Sequence, residues 1–87
     1  MEYVTIAPKL ANAKLRIAGI KQVLRAVEQG KVSWVVLARD ADEAIRREVQ
    51  AFCAEHAAPC IAGPDKVALG VACRLQVATA VAAILNG

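Results

Sequence analysis

The chain has 87 residues, of which 57% are hydrophobic, and it carries a net charge of +3. This length predicts one domain over residues 1–87 that needs neither disulfides nor a metal to fold, and the apolar content excludes an intrinsically disordered chain. The longest nearly apolar run, residues 77–85, is too short to cross a bilayer, so we expect no membrane association.

The first third of the chain predicts a helix, a strand and a second helix. Residues 3–12 have the composition of a short helix, which Pro8 weakens, and residues 15–18 read as a short strand. Gly19 breaks this strand, and the amphipathic helix that begins there ends at Gly30. The apolar face of that helix consists of Ile20, Val23, Leu24 and Val27.

The middle of the chain predicts a buried strand followed by a helix. Residues 34–38 form a continuous apolar run, which is typical of a strand buried on both faces, and we expect Trp34 to pack in or near the core. Asp40 and Asp42 can cap the next helix, with Glu43 in its first turn. The core stripe of this helix repeats at helical spacing through Ile45, Val49, Phe52 and Cys53.

The last third predicts a short strand over residues 60–62 after Pro59, a turn over residues 63–65 and a helix over residues 66–73. Residues 77–85 fit a helix and a strand equally well, and periodicity does not decide between them. With a strand there, the alternating order of helices and strands predicts an α/β fold. Its expected form is a three-layer α-β-α sandwich with a small mixed four-stranded sheet.

The start of the second helix is the most informative segment for function. The first turn of a helix leaves backbone N–H groups unpaired and carries a partial positive charge, which suits a phosphate or an electron-rich base edge. Gly19 would allow a ligand to approach the backbone, Lys21 and Gln22 have groups that hydrogen-bond to base edges, and Arg25 lies one turn further along. These features are a weak signal of an RNA-binding surface, because a glycine between a strand and a helix is common and a polar helix face is usually only solvated.

The charge is distributed unevenly along the chain. Residues 1–39 contain seven basic and two acidic residues, whereas residues 40–87 contain four basic and six acidic residues. A basic half joined to a mildly acidic half is typical of a surface oriented towards a polyanion. A surface tuned only for solubility explains the same pattern equally well.

Five segments, taken in order, resemble a known family. Residues 19–30, 35–42, 59–60, 69–73 and 77–87 are similar to the kink-turn-binding ribosomal proteins often called L-seven-Ae/L-thirty-e, in particular to the small bacterial members of the YlxQ type. The family pattern in the first segment is Gly, Thr, Asn or Lys, Glu or Gln, two variable residues, then Lys. The resemblance covers nearly the whole chain and implies that the last segment is a strand.

The resemblance also implies a mode of RNA binding. The family inserts the start of its second helix beside the tandem sheared G·A pairs of a kink-turn, so Lys21 and Gln22 would read the guanines and Arg25 would contact the backbone. The loop over residues 67–77 would cover the nucleotide flipped out at the bend. The implied RNA-binding residues are Lys14, Gly19, Ile20, Lys21, Gln22, Arg25, Val67, Leu69, Arg74, Leu75 and Gln76.

Two residues depart from the family pattern. Ile20 replaces the usual threonine and loses a hydroxyl group that could contact a phosphate or a base. Arg74 stands where the family has glycine after Ala-Cys, which changes the backbone freedom of the covering loop and adds a cation.

Three alternatives compete with RNA binding. Catalysis is disfavoured because the chain has one His, one Ser and no nucleotide-binding Gly-x4-Gly-Lys loop. A zinc site is an alternative that would use Cys53, His56, Cys60 and Cys73, but free cysteines are common core residues. A protein–protein interaction module could use the same exposed helix face.

The remaining expectations concern the state of the protein in the cell. The odd number of cysteines without Cys-x-x-Cys spacing predicts reduced thiols, and the first nine residues lack a signal-peptide pattern, so we expect a cytoplasmic protein. We further expect a monomer with no cofactor and no bound metal, whose partner is a structured RNA such as ribosomal RNA.

Overall fold

A computed structural model of the chain describes residues 3–86, and Met1, Glu2 and Gly87, at the ends of the expected domain, lie outside the described residues. Four helices alternate with four strands, as the order of sequence patterns predicted. In chain order the elements are α1 (Tyr3–Leu10), β1 (Arg16–Ala18), α2 (Ile20–Glu28), β2 (Val32–Leu37), α3 (Glu43–Glu55), β3 (Cys60–Ala62), α4 (Lys66–Ala72) and β4 (Val81–Leu85).

The strands form one mixed sheet in the order β1-β4-β2-β3. β4 pairs antiparallel with both β1 and β2, whereas β2 and β3 are parallel. α2 contacts α3 on one face of the sheet, and α1 contacts α4 on the other. The predicted α/β sandwich with a mixed four-stranded sheet is therefore confirmed.

The centre of the sheet is built from small and β-branched residues. Two runs of residues are fully buried: residues 35–38, at the end of β2 and just after it, and residues 81–84 of β4. Ala82 and Ala83 leave room for helices to approach both faces of β4, since an alanine side chain does not extend beyond Cβ. Trp34 is half-buried and packs against the core, as predicted.

Several predicted boundaries were wrong by a few residues. α1 ends at Leu10 rather than at Asn12, and β2 begins at Val32, two residues before the apolar run. The largest difference lies before β4. The segment 77–80 is a loop, and only Val81–Leu85 is a strand. Val77, Thr79 and Val81 alternate with their neighbours as residues of a strand do, so the sequence pattern extends into this loop and explains the error.

The prediction that Asp40 caps α3 was wrong. Asp42 is at the N-cap position of α3 but makes no side-chain capping bond, and the Asp40 carboxylate instead accepts a hydrogen bond from the N–H of Lys66, at 2.8 Å. Asp65 also serves α4, since its side chain accepts from the N–H of Ala68, at 2.8 Å. Two carboxylates thus cap the start of α4, and one of them comes from a distant turn.

The sheet order brings the start of α2 next to the loop before β4. Because β1 and β4 are antiparallel neighbours, the end of β1 lies beside the beginning of β4, and Ala18 pairs with Ala82. The N–H of Gly19 continues this pairing by donating to the carbonyl oxygen of Val81, at 3.0 Å. The first turn of α2 and the loop over residues 73–80 therefore meet at one edge of the molecule.

Candidate nucleic-acid interface

Gly19 sets the direction in which α2 leaves the sheet. Its backbone has φ 98° and ψ 142°, a combination that only glycine adopts without strain. A Cβ atom built at this position would have no atom within 4 Å, so the space beside the backbone is open. The sharp turn and the open space together expose the first turn of α2 to a ligand.

The first amides of α2 are available as hydrogen-bond donors. The N–H of Val23 donates to the Gly19 carbonyl oxygen, at 3.0 Å, and begins the helical pattern. Within residues 3–86, no backbone or side-chain acceptor pairs with the N–H groups of Ile20, Lys21 or Gln22, and Gly19 supplies no side-chain cap. These three donors lie at the positive end of the helix dipole, where an anion or a base acceptor is stabilised.

A cavity of about 350 Å³ lies between the first turn of α2 and the loop before β4. Gly19 and Gln22 line one side, and Leu75 and Val77 line the other. Val77 is exposed over 70% of its surface, as Val4 also is. The cavity thus combines polar groups on the α2 side with an apolar loop wall, a composition that suits an unstacked base.

The loop wall is held in place by backbone geometry. Arg74 has a left-handed backbone, with φ 60°, and the N–H of Leu75 closes α4 by donating to the Gly70 carbonyl oxygen, at 2.9 Å. At the other end, the Thr79 hydroxyl donates to the Val81 carbonyl oxygen, at 3.0 Å. Because Gly19 donates to the same carbonyl oxygen, the loop and the start of α2 share one anchor.

Arg16 lines the same cavity and was missed in the sequence analysis. Its Nε–H donates to the Leu10 carbonyl oxygen, at 3.1 Å, which fixes the guanidinium in a partly buried position. Burial raises the pKa of the nearby Cys73 thiol, and the positive charge of Arg16 lowers it by a smaller amount. The one available signal was a cation inside a short apolar strand, which the sequence analysis counted only as charge.

The polar face of α2 carries cations that are not engaged elsewhere. Lys21, Gln22 and Arg25 are all exposed, and they line a second cavity, of about 340 Å³, beside the helix. The two ion pairs found in the described part of the chain, Arg39–Asp65 and Arg47–Glu43, involve none of them. Their charges are free to interact with a polyanion.

The other predicted site residues are scattered around this surface. Lys14, Val67, Arg74 and Gln76 are exposed but line neither of the two cavities. The side chain of Ile20 is half-buried and packs against the core, so its backbone amide rather than its side chain faces outwards. In the predicted covering loop, the residues that line the cavity beside Gly19 are therefore Leu75, Val77, Ala78 and Thr79, and none belongs to the start of α4.

The prediction that Leu69 contacts RNA is incompatible with its position. Leu69 has 0% exposure and belongs to the hydrophobic core. In the motif Leu-Gly-x-Ala-Cys, Leu69 thus anchors α4 to the sheet. The motif therefore holds the loop over residues 73–80 in place and does not form its exposed surface.

The cysteines and the histidine of the zinc alternative do not form one cluster. Cys53 and Cys60 both line a cavity of about 370 Å³ between α3 and β3. His56 is instead held by its own helix, with Nδ1 3.0 Å from the Phe52 carbonyl oxygen. Cys73 follows α4 on the opposite face of the sheet, and residues 3–86 hold no group of three or more potential metal ligands.

The comparison with protein families decides the assignment of this fold. The model of the ribosomal protein L7Ae/L30e/S12e/Gadd45 family matches residues 4–87. The chain belongs to this family. The resemblance recognised in the sequence is therefore confirmed over nearly the whole chain.

Relatives in the family include proteins described as RNA-binding. An RNA-binding protein of Geobacillus thermodenitrificans is 38% identical over 78 residues, which cover 90% of this chain and 95% of the relative. RNA-binding protein YbxF of Geobacillus stearothermophilus is 36% identical with the same coverage.

Two solved structures have the same fold as this chain. The 15.5 kD RNA-binding protein of Giardia lamblia superimposes with a TM-score of 0.84 at 29% identity, covering 100% of this chain and 78% of that chain. A Bacillus halodurans protein of unknown function superimposes with a TM-score of 0.85 at 22% identity, covering 99% and 86%. Three of these four proteins are described by name as RNA-binding. Separately, no helix within residues 3–86 has the length and apolarity of a membrane span.

Proposed function

We propose that residues 1–87 act as one domain that binds kink-turn RNA by inserting the first turn of α2 beside tandem sheared G·A pairs. The RNA would belong to the ribosome or to another ribonucleoprotein, and the role would be binding rather than catalysis. The observation that carries this proposal is the exposed start of α2 at Gly19 in a chain whose relatives include proteins described as RNA-binding.

Three features of the surface support this mode of binding. The free amides of residues 20–22 offer donors to the RNA backbone or to base acceptors. Lys21 suits guanine O6 and N7, and the Gln22 amide can donate and accept at once. Arg25, one turn further along the helix, can hold a phosphate.

The cavity beside Gly19 would hold the nucleotide that a kink leaves unpaired. Leu75 and Val77 offer an apolar surface for stacking, and Arg16 adds a fixed cation at the rim.

A gel-shift titration tests the proposal directly. The wild-type protein should bind a kink-turn RNA and lose this binding when the G·A pairs are replaced by Watson–Crick pairs. Affinity should also fall steeply as salt is raised, because phosphate contacts release counterions. Equal affinity for both RNAs, or no binding to either at low salt, would contradict the proposal and favour a protein–protein module.

Two substitutions test the contact surface. Lys21→Ala and Gln22→Ala should each weaken binding to the kink-turn RNA by about 1–3 kcal/mol, since each removes a base contact. The matched controls are Lys9→Ala on α1 and Gln50→Ala on α3, which are equally exposed but lie on other elements. Unchanged affinity in both α2 variants, measured by the same titration, would remove α2 from the interface.

A further inference from the structure

A basic groove runs along α2 beyond the residues that the family motif covers. It is the cavity of about 340 Å³ beside the helix, and its cations are Lys21, Arg25 and Lys31. Its floor is apolar and includes Ile17 of β1 and Leu85 of β4. Lys31 follows the end of α2 and was treated in the sequence analysis only as part of the charge balance.

The charge of this groove has a single sign. Among the residues that the structure describes, no Asp or Glu lines it, and this includes Glu28 of α2. Within residues 3–86, Lys21, Arg25 and Lys31 take part in no ion pair, although Arg39 and Arg47 elsewhere do. Three exposed, unpaired cations in one groove favour a polyanionic occupant.

The groove lies next to the cavity at the start of α2. Gln22 and Ile17 line both. α2 has nine residues and is therefore about 13 Å long at 1.5 Å per residue. A polyanion that enters at Gly19 and follows the helix thus reaches Lys31 at the far end.

The backbone holds Lys31 in a fixed position. Its N–H donates to the Ala26 carbonyl oxygen, at 3.0 Å, and its own carbonyl oxygen accepts from the N–H of Asn86, at 2.8 Å. The side-chain amide of Asn86 also donates to the Gly30 carbonyl oxygen, at 3.1 Å. Because the backbone of Lys31 is already fixed, binding of a phosphate restricts only the lysine side chain, and less conformational entropy is lost.

We propose that this groove holds the phosphate backbone of the RNA helix that flanks the kink, with Lys31 as the contact farthest from Gly19. The inference rests on the proposed function, since it assumes that a kinked RNA occupies the start of α2. Lysine acts here as a point charge on a phosphate and reads no sequence. The interface is therefore longer than the motif residues alone indicate.

The experiment combines a substitution with RNAs of different length. Affinity and its salt dependence are measured for wild type, Lys31→Ala and the control Lys9→Ala. The RNAs are a kink-turn with both flanking helices, and two versions in which one or the other helix is shortened. Lys31→Ala leaves the backbone hydrogen bonds of residue 31 in place, so the fold is retained.

On the full RNA, Lys31→Ala should weaken binding about threefold to tenfold and reduce the slope of log K against log salt by about one. A contact to a base would instead change the preference for RNA sequence. One of the two shortened RNAs lacks the helix that Lys31 contacts. On that RNA, Lys31→Ala and the wild-type protein should have the same affinity.

Two results would overturn the inference while leaving the proposed function intact. One is an equal affinity of Lys31→Ala and Lys9→Ala for the full RNA. The other is a loss that is the same on all three RNAs, because the contact would then not lie on a flanking helix. If the wild-type protein binds none of the RNAs, the proposed function itself fails.

Discussion

Ala57 and Arg74 have left-handed backbones although neither is glycine, with φ 54° and 60°. Each follows the end of a helix, where such a conformation allows the chain to turn back. At Arg74 the family has glycine, so the comparison of motifs pointed to a special backbone there. Nothing in the local sequence indicated the same for Ala57, because alanine is typical of a helix interior.

The strain at Ala57 can be relieved by substitution. Its side chain is exposed, so Ala57→Gly removes no packing and should raise the free energy of unfolding by about 0.5–1 kcal/mol. Urea denaturation measures this change. The control is Ala54→Gly inside α3, which should lower the free energy of unfolding by about 1 kcal/mol. Destabilisation by both substitutions would show that the left-handed backbone at residue 57 carries no strain.

At the scale of elements, α4 supports the loop through Gly70. A Cβ atom at this position would overlap the Val77 carbonyl oxygen and lie 3.2 Å from the Ala78 Cα. Because both neighbours are backbone atoms, they cannot move aside as a flexible side chain would. Gly70 therefore allows the loop to pass close over α4 and to face α2.

Gly70→Ala should displace this loop. We expect a loss of about 1–3 kcal/mol in the free energy of unfolding, the usual cost of forcing an extra methyl group into a packed site. Affinity for a kink-turn RNA should also fall, since Leu75 and Val77 would move away from Gly19. Val71→Ala, at an exposed position on the same helix, is the control and should change neither quantity by much. If Gly70→Ala lowers the free energy of unfolding but leaves the affinity unchanged, the position of the loop does not affect RNA binding.

The elements themselves could largely be predicted from the sequence, whereas the cavity between them could not. The amphipathic pattern and Gly19 located α2 correctly, because both signals are local. Arg16 and Thr79 line the same cavity only because β1 and β4 pair side by side, and no local pattern encodes that pairing. Asp40 was assigned to the wrong helix for the same reason, since its partner Lys66 is 26 residues away.

Across the whole molecule, the charge asymmetry of the sequence becomes a spatial one. The cations at the candidate interface come from β1, α2 and the turn after α2, which are consecutive in the basic half of the chain. Most acidic residues lie on α3 and in the turn before it. The order of elements therefore gathers four cations, Arg16, Lys21, Arg25 and Lys31, on the surface around α2. Composition predicted the sign of this surface but not its location.

The stability of the whole molecule should decline at alkaline pH because its thiols are buried. Burial, followed by the charge of Cys60 and a hydrogen bond to it, raises the pKa of Cys53 to about 12, and burial also raises the pKa values of Cys60 and Cys73. The unfolded chain releases these protons near pH 9, whereas the native state retains them.

A native state that binds more protons than the unfolded state loses stability as pH rises, by at most about 1.4 kcal/mol per pH unit for each group. The free energy of unfolding, measured by urea denaturation, should therefore decrease between about pH 9 and pH 12. Cys53→Ala lacks the thiol with the largest shift, so its stability should start lower at pH 7 but decline less steeply. Parallel pH profiles for the variant and the wild type would mean that Cys53 ionises as readily in the folded protein as in the unfolded chain.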